Sequence, residues 1–506
     1  MLSSTKKKVL QGSAANLLQT LLAFTVSLVV PPFLVHHMQQ AEYSAWVLIL
    51  QISAYVSYLE IGIQTAIGKF IAEYHAAGDT AASGRVASTA FSILSILGAF
   101  GIVVLGFIAA EIPFLFRQVP AGIIGPMRLG ILAIGWSTAL LLPFSVTQGI
   151  FVGLQRYAIP ATLNSVGRVL PSLAIIVLLL LHGTLMQMAL LIAGFNLLNI
   201  FAQWYCWQRF AGAEVPLRLF SLDRPTARRL LAYCSVLAIW LVGSLFISGL
   251  DTVIVGRYDF HNTGFYGIAS SVTNFMLLIV GSALGPLMPA VSSVQAKRTP
   301  RQLGSLLVRT TRYCVLLLMV LALPLLIAGF PLLRIWIGTT YAPGAVRFLP
   351  VLVLANVIRQ LGYPYALMVV ATGTQRLATV SPVVEAIVNL TLSLILVRSM
   401  GAIGVAIGTL VGACVGFLLH LLLSMRLTLP TIDPGRARLV LRGILRPAVC
   451  ALPSLLVLPW LHSRSLVPLP PALLALWALA TMALAWMTGL THDERHGMMA
   501  RARTLL

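Results

Sequence analysis

Residues Gly249 to Ala269 read GLDTVIVGRYDFHNTGFYGIA, and the positions around this stretch repeat the beginning of the chain. Tyr43 and Gly62 return as Tyr266 and Gly285, both 223 residues on. The same shift carries the basic pair Lys6-Lys7 onto Arg229 and Leu230, so each copy opens with positive charge followed by a long apolar span. Gly153-Leu-Gln155-Arg156 recurs as Gly373-Thr-Gln375-Arg376, 220 residues on. Two anchors at nearly equal offset point to a duplication. The expected organisation is an N-terminal six-helix lobe over 1–210, a cytoplasmic linker over 211–229, a second six-helix lobe over 230–425, and an addition over 426–506.

Composition says where such a chain lives. It is 59% hydrophobic and 9% charged, with a mean hydropathy of +0.94, whereas soluble domains carry roughly 25% charged residues. An apolar run of about 20 residues spans the hydrocarbon core of a bilayer. That template predicts fourteen spans: 9–35, 43–68, 86–110, 129–152, 158–181, 185–206, 230–256, 264–291, 313–333, 348–371, 378–397, 402–424, 444–461 and 467–489. The first follows Lys6-Lys7-Lys8 but is too long for a signal peptide and lacks a small-x-small cleavage site, so it is read as span 1. The fold class is all-α integral membrane.

A net charge of +21 would suggest nucleic acid in a soluble domain, so the placement of the cations decides its meaning. With the N-terminus cytoplasmic, 25 of the 34 Lys and Arg fall on that side, seven on the other, and two, Arg168 and Arg359, within spans. This is a positive-inside pattern with both termini in the cytoplasm. An anionic inner leaflet accounts for the basic excess, and no nucleic-acid partner is implied. Six spans precede the second copy, so both copies enter from the same side as a parallel repeat, the geometry of a transporter. Spans 1, 2, 7 and 8 are expected to line a central cleft.

Catalytic and cofactor signatures are missing from the pattern. The five cysteines (Cys206, Cys234, Cys314, Cys414, Cys450) are scattered without metal-like spacing and read as packing residues. The run Gly62 to Lys69 is one residue too long for a phosphate-binding loop, and Phe70 stands where Ser or Thr must hold magnesium. Outer connections are short and lack paired carboxylates, which argues against a membrane glycosyltransferase or polymerase. No cofactor and no metal is expected, and the chain is read as a non-enzyme.

Polar residues inside spans are the informative minority, because a charge at the bilayer centre costs at least about 2.5 to 3.5 kcal/mol. Asn164 and Arg168 lie four apart on span 5 beside Ser165 and Ser172. On span 11, Ser381, Glu385, Asn389 and Ser393 repeat every fourth residue. Span 10 adds Asn356, Arg359 and Gln360. These stripes are expected to face the cleft, with Arg168, Arg359, Asn164 and Asn356 binding substrate and Glu60, Asp251 and Glu385 as ion-pair partners or coupling carboxylates. The plainer alternative is that the arginines pair with those acids only to hold helices together. Gly404, Gly408, Gly412 and Gly416 form a small-residue stripe on span 12, read as close helix packing. The last two spans, nearly free of internal polar groups, are read as peripheral.

The pattern Asp251-x4-Gly256-x7-Gly264-x-Tyr266-x2-Ala269 resembles the corresponding segment of bacterial polysaccharide and O-antigen flippases, within the multidrug/oligosaccharidyl-lipid/polysaccharide exporter superfamily. Tyr43-x2-Trp46, Glu60-Ile-Gly62 and Ala72-Glu73-Tyr74-x4-Asp79 are similar to their first repeat, and together these motifs cover about residues 1–425. The resemblance implies two six-helix lobes working by alternating access on an undecaprenyl-pyrophosphate-linked oligosaccharide in a bacterial inner membrane. Membrane lipids, H+ or Na+, a polysaccharide polymerase and other assembly proteins are the partners it suggests. Two other readings share the fold. A multidrug cation antiporter should have an acidic cleft, whereas a peptidoglycan-precursor flippase also has fourteen spans and a basic one.

Overall fold

A computed structural model describes residues 2–60, 62–285, 287–294, 299–454, 471–489 and 494–495 of the 506. The end of span 13, the start of span 14, Pro286, Lys297, Arg464, Arg501 and Arg503 lie outside them, as do the side chains of Lys6 to Lys8 and Asn16. Every regular element among the described residues is a helix.

Among the described residues, eleven helices are long and apolar enough to cross a membrane. We number the elements α1 (Leu2–His37), α2 (Gln40–Ala76), α3 (Thr80–Ala110), α4 (Ala121–Gly153), α5 (Ala158–Leu180), α6 (Leu185–Phe210), α7 (two pieces, Arg224–Ser244 and Asp251–Tyr258), α8 (Phe260–Leu284), α9 (Pro300–Ile327), α10 (Leu349–Ala371), α11 (Gln375–Met400) and α12 (Ala402–Leu427). The chain is therefore a multi-span membrane protein. Span 7 is two helical pieces joined by a π turn at Leu245–Gly249, with Arg224, Arg228 and Arg229 at its start. Span 13 is described only as short turns up to Ser454, and span 14 only from Pro471.

The repeated glycines mark repeated breaks. In the first copy α2 passes through a 3-10 segment, Tyr55–Glu60, and restarts at Ile63 after Gly62, whose φ of +73° is in the left-handed region that favours glycine. In the second copy α8 ends at Leu284, Gly285 interrupts it, and a short helix resumes over Leu287–Val294. The other anchor keeps its residues but not its register. The left-handed positions in the two turns are Gln155 and Gly373, so the backbone reversal does not fall on matched residues.

The chain divides into two compact units, Met1–Gly267 and Ile268–Leu506. Span 7 and the start of span 8, which the repeat assigns to the second copy, therefore pack in the first unit. The motif glycines show how. A Cβ on Gly256 would lie 2.6 Å from the Leu48 side chain, and one on Gly264 would lie 2.9 Å from Tyr43. Gly264 also donates its N–H to Ser44 Oγ at 3.1 Å. At the π turn, the Gly249 carbonyl accepts from Tyr55 at 2.7 Å and Gln51 at 3.0 Å. The stretch that organises the sequence is thus a seat for α2, and its glycines serve backbone approach.

In the second unit α11 and α12 pack through the small-residue stripe read from the sequence. A Cβ on Gly408 would lie 2.5 Å from Ser393 Oγ and 2.7 Å from Ser393 N, and one on Gly412 would lie 2.9 Å from Asn389 Cβ. Gly408→Ala is therefore expected to lower the stability of the purified protein by about 1 to 3 kcal/mol through overpacking. Gly194, on α6, has nothing within 4 Å of such a Cβ, so Gly194→Ala should be neutral or slightly stabilising through helix propensity. Thermal melts of the two variants in detergent check the contrast; equal melting temperatures would show that the stripe is not tightly packed.

Candidate functional site

In the second unit the charged residues of α10 and α11 meet. α10 is interrupted at Gly362, ahead of Pro364, and Arg359 lies in the last turn before that interruption. Its Nε donates to Glu385 Oε1 at 2.7 Å, and its Nη1 donates to Asn356 Oδ1 at 3.2 Å. Asn356 Nδ2 is committed to the Leu352 carbonyl at 2.9 Å. The pair is mostly enclosed, with 20% of the Arg359 side chain and 9% of the Glu385 side chain exposed. Arg359 Nη2 is buried and has no hydrogen-bond partner among the described residues.

Glu385 reaches this position because α12 offers no side chain against it: a Cβ on Gly416 would lie 2.4 Å from its Oε2. The whole polar ladder of α11 is set the same way. Ser393 faces Gly408, Asn389 faces Gly412, and Ser381 meets His420, the next position of the same four-residue repeat on α12. Ser381, Asn389 and Ser393 are fully buried. The ladder therefore points at the glycine stripe of α12, a different placement from the cleft-facing one expected, and its Glu385 rung is paired with Arg359.

His420 opens a second polar group that no sequence pattern singled out. Its ring lies edge-on to Tyr365 at 5.4 Å between centroids, Ser381 bonds Ser424 at 3.1 Å, and Tyr365 bonds Thr428 at 2.9 Å. The legible signal was that His420 continues the spacing of the glycines at 404, 408, 412 and 416.

The first unit arranges its polar residues differently. Gln148 on α4 accepts from Gln64 on α2 at 3.0 Å and from Asn164 on α5 at 3.2 Å, tying three elements together. One turn along α5, Arg168 is exposed and donates through Nη2 to Ser27 on α1 at 3.2 Å. It makes no ion pair with an acid among the described residues. Glu60, in the 3-10 segment of α2, has its Oε1 buried without a hydrogen-bond partner among the described residues. Asp251 begins the second piece of α7 and accepts from the Tyr266 hydroxyl at 3.4 Å. Of the expected acid–arginine pairs, the structure brings together Arg359 and Glu385.

Chemically, these groups can bind and neutralise. A guanidinium with an unmet N–H suits an oxyanion such as a carboxylate or phosphate oxygen, which it meets with a charge-assisted hydrogen bond. No group of three or more His, Cys, Asp or Glu side chains is placed to hold a metal ion among the described residues.

No family model and no curated protein matches the sequence. Solved structures do match in fold. The lipid II flippase MurJ in an inward closed conformation aligns with a TM-score of 0.70 at 13% identity, over 94% of this chain and 97% of that one. A MATE-family multidrug resistance transporter in an inward-facing conformation aligns with a TM-score of 0.63 at 16% identity, over 81% and 94%. A MOP-superfamily transporter from Pyrococcus furiosus, described as having a binding pocket of reverse polarity, gives 0.60 at 13%, over 84% and 96%. The fold is thus that of MOP-superfamily transporters. Each of these neighbours is itself described as a transporter or a flippase.

Proposed function

We propose that this chain is a flippase that carries undecaprenyl-pyrophosphate-linked oligosaccharide units across a bacterial inner membrane by alternating access. The product would feed a surface polysaccharide such as the O-antigen of lipopolysaccharide, with both termini cytoplasmic. The observation that carries the reading is Arg359. Its Nε is paired with Glu385, while Nη2 stays buried with no partner among the described residues. An unmet buried N–H costs about 1 to 3 kcal/mol, and a phosphate oxygen would relieve that cost. Arg168, held by a single hydroxyl, is the second cation we assign to the pyrophosphate, with Asn164 and Asn356 as neutral donors beside the two arginines. Glu60, with one carboxylate oxygen unpartnered, is the candidate for a coupling H+ or Na+.

A second reading, a peptidoglycan-precursor flippase, is favoured by one observation. The alignment to the lipid II flippase leaves 6% of 506 residues unmatched, about 30, fewer than residues 426–506 contain. Part of the C-terminal addition therefore has a counterpart there.

Depleting the protein in its host and analysing lipid-linked intermediates separates these readings. Accumulation of undecaprenyl-pyrophosphate oligosaccharide on the cytoplasmic face is the expected result. Accumulation of lipid II would move the assignment to the second reading. Drug sensitivity with neither lipid accumulating would identify a multidrug transporter and overturn the proposal.

A further inference from the structure

The first unit carries an apolar groove that plays no part in the polar site. It holds about 470 Å³ between α3, α4 and α6, with Phe91, Ile102, Pro143, Phe144, Phe201 and Trp204 among its walls. Its lining is apolar except for Ser95, which spends its hydroxyl on the Phe91 carbonyl at 2.8 Å, and the indole of Trp204. Such a groove suits hydrocarbon.

One end of the groove is closed by the segment that follows α6. This strap is stapled to α3 at two points: Arg218 N–H donates to Ser88 Oγ at 2.8 Å and Asp223 N–H to Thr89 Oγ1 at 3.2 Å. Pro216 sits over Gly84, where a Cβ would approach its carbonyl to 2.7 Å. Between the staples Phe220 has a φ of +55°, a left-handed conformation that costs energy for any residue with a Cβ. That backbone sets its ring edge-on to Phe91, 6.1 Å away, and leaves the side chain 76% exposed. Leu219 and Leu222 are exposed beside it. In a soluble protein such a strap would be unfavourable; at a bilayer surface its apolar residues enter lipid. Trp204 and Trp207 lie beside it, the residue type concentrated at membrane interfaces.

Charge selects the lipid. Arg218 and Arg224 flank the apolar residues and are exposed. Of the strap's two acids, Glu214 is paired with Arg156 at 2.5 Å, and Asp223 is occupied by the Thr226 hydroxyl and amide, with Arg85 close enough to act on it. Hydrocarbon below and unneutralised cations beside it fit a lipid with a negative headgroup. We propose that the groove and strap form a binding site for an anionic phospholipid, one acyl chain under Phe220 and the headgroup phosphate at Arg218 and Arg224. This site is independent of the flippase reading.

The test uses the full-length protein in nanodiscs with a photoactivatable diazirine in the acyl chain, carried by either phosphatidylglycerol or phosphatidylcholine. Adducts should map to 91–102, 139–144 and 200–204 and be several-fold more abundant with phosphatidylglycerol. Arg218→Gln and Arg224→Gln should each cut that preference about five-fold, the effect of one interfacial cation. Equal labelling by the two lipids, or adducts spread evenly over the other spans, would overturn the proposal. So would complete displacement of phosphatidylglycerol by equimolar undecaprenyl phosphate, which would make the groove a substrate-tail site. The comparison of lipids on the unmodified protein needs no variant to fold.

Discussion

Arg359→Ala is expected to abolish export of lipid-linked oligosaccharide and also to destabilise the protein. Removing the guanidinium leaves Glu385 enclosed between α10 and the glycines of α12 with its cation gone. Breaking a buried pair from one side typically costs about 3 to 5 kcal/mol. The loss of export alone therefore cannot separate a ligand from a strut. The double variant Arg359→Ala/Glu385→Ala can, because removing both charges should recover much of the stability. If Arg359 binds pyrophosphate, the double variant is stable and still inactive; if the pair is only structural, export returns with stability. Arg359→Lys keeps a point charge for Glu385 but loses the planar fork, so it should leave the protein folded and export reduced. Melting temperature in detergent and polysaccharide on intact cells are the two readouts.

Membrane potential should set the rate of flipping. No nucleotide-binding pattern occurs in the sequence, yet a large polar headgroup has to cross. In a membrane that is negative inside, an anionic pyrophosphate moving outward runs down the potential and gains about 2.3 kcal/mol per charge per 100 mV. Two charges would gain some 4 to 5 kcal/mol. An apolar path would forfeit this through ion desolvation. Among the described residues Arg359 has an unmatched N–H and Arg168 is bonded to the Ser27 hydroxyl, and both would let the charge cross partly neutralised. Inward movement of H+ or Na+ on Glu60, Asp251 or Glu385 would add to the drive. Imposing a valinomycin-clamped potential on reconstituted vesicles should change the rate in proportion to its sign and size.

Much of this was legible because it is periodic or punctuated. The helical class followed from hydropathy, and Gly62 and Gly285 were legible as repeat anchors; that each sits at a helix break is seen only in the structure. The stripe at 404, 408, 412 and 416 gave close packing. What periodicity does not give is direction. A four-residue repeat puts Ser381, Glu385, Asn389 and Ser393 on one face of α11 without saying what that face meets. Only the matching glycine repeat on α12 reveals that the two stripes pack together, and the two were read separately. Hydropathy averages over a π turn, so the one at Leu245–Gly249 leaves no mark on span 7 in the sequence. The bonds from Gln64 and Asn164 to Gln148 come from three helices at unrelated spacings, and no linear pattern links them.

The most direct measurement is flipping itself, by the purified protein in vesicles. A fluorescent undecaprenyl-pyrophosphate oligosaccharide is placed in one leaflet and its arrival in the other is followed by an impermeant quencher. The account predicts protein-dependent transfer that quickens with imposed potential, ignores ATP and is lost in Arg359→Ala/Glu385→Ala. Transfer no faster than in protein-free vesicles, at any potential or ion gradient, would contradict it.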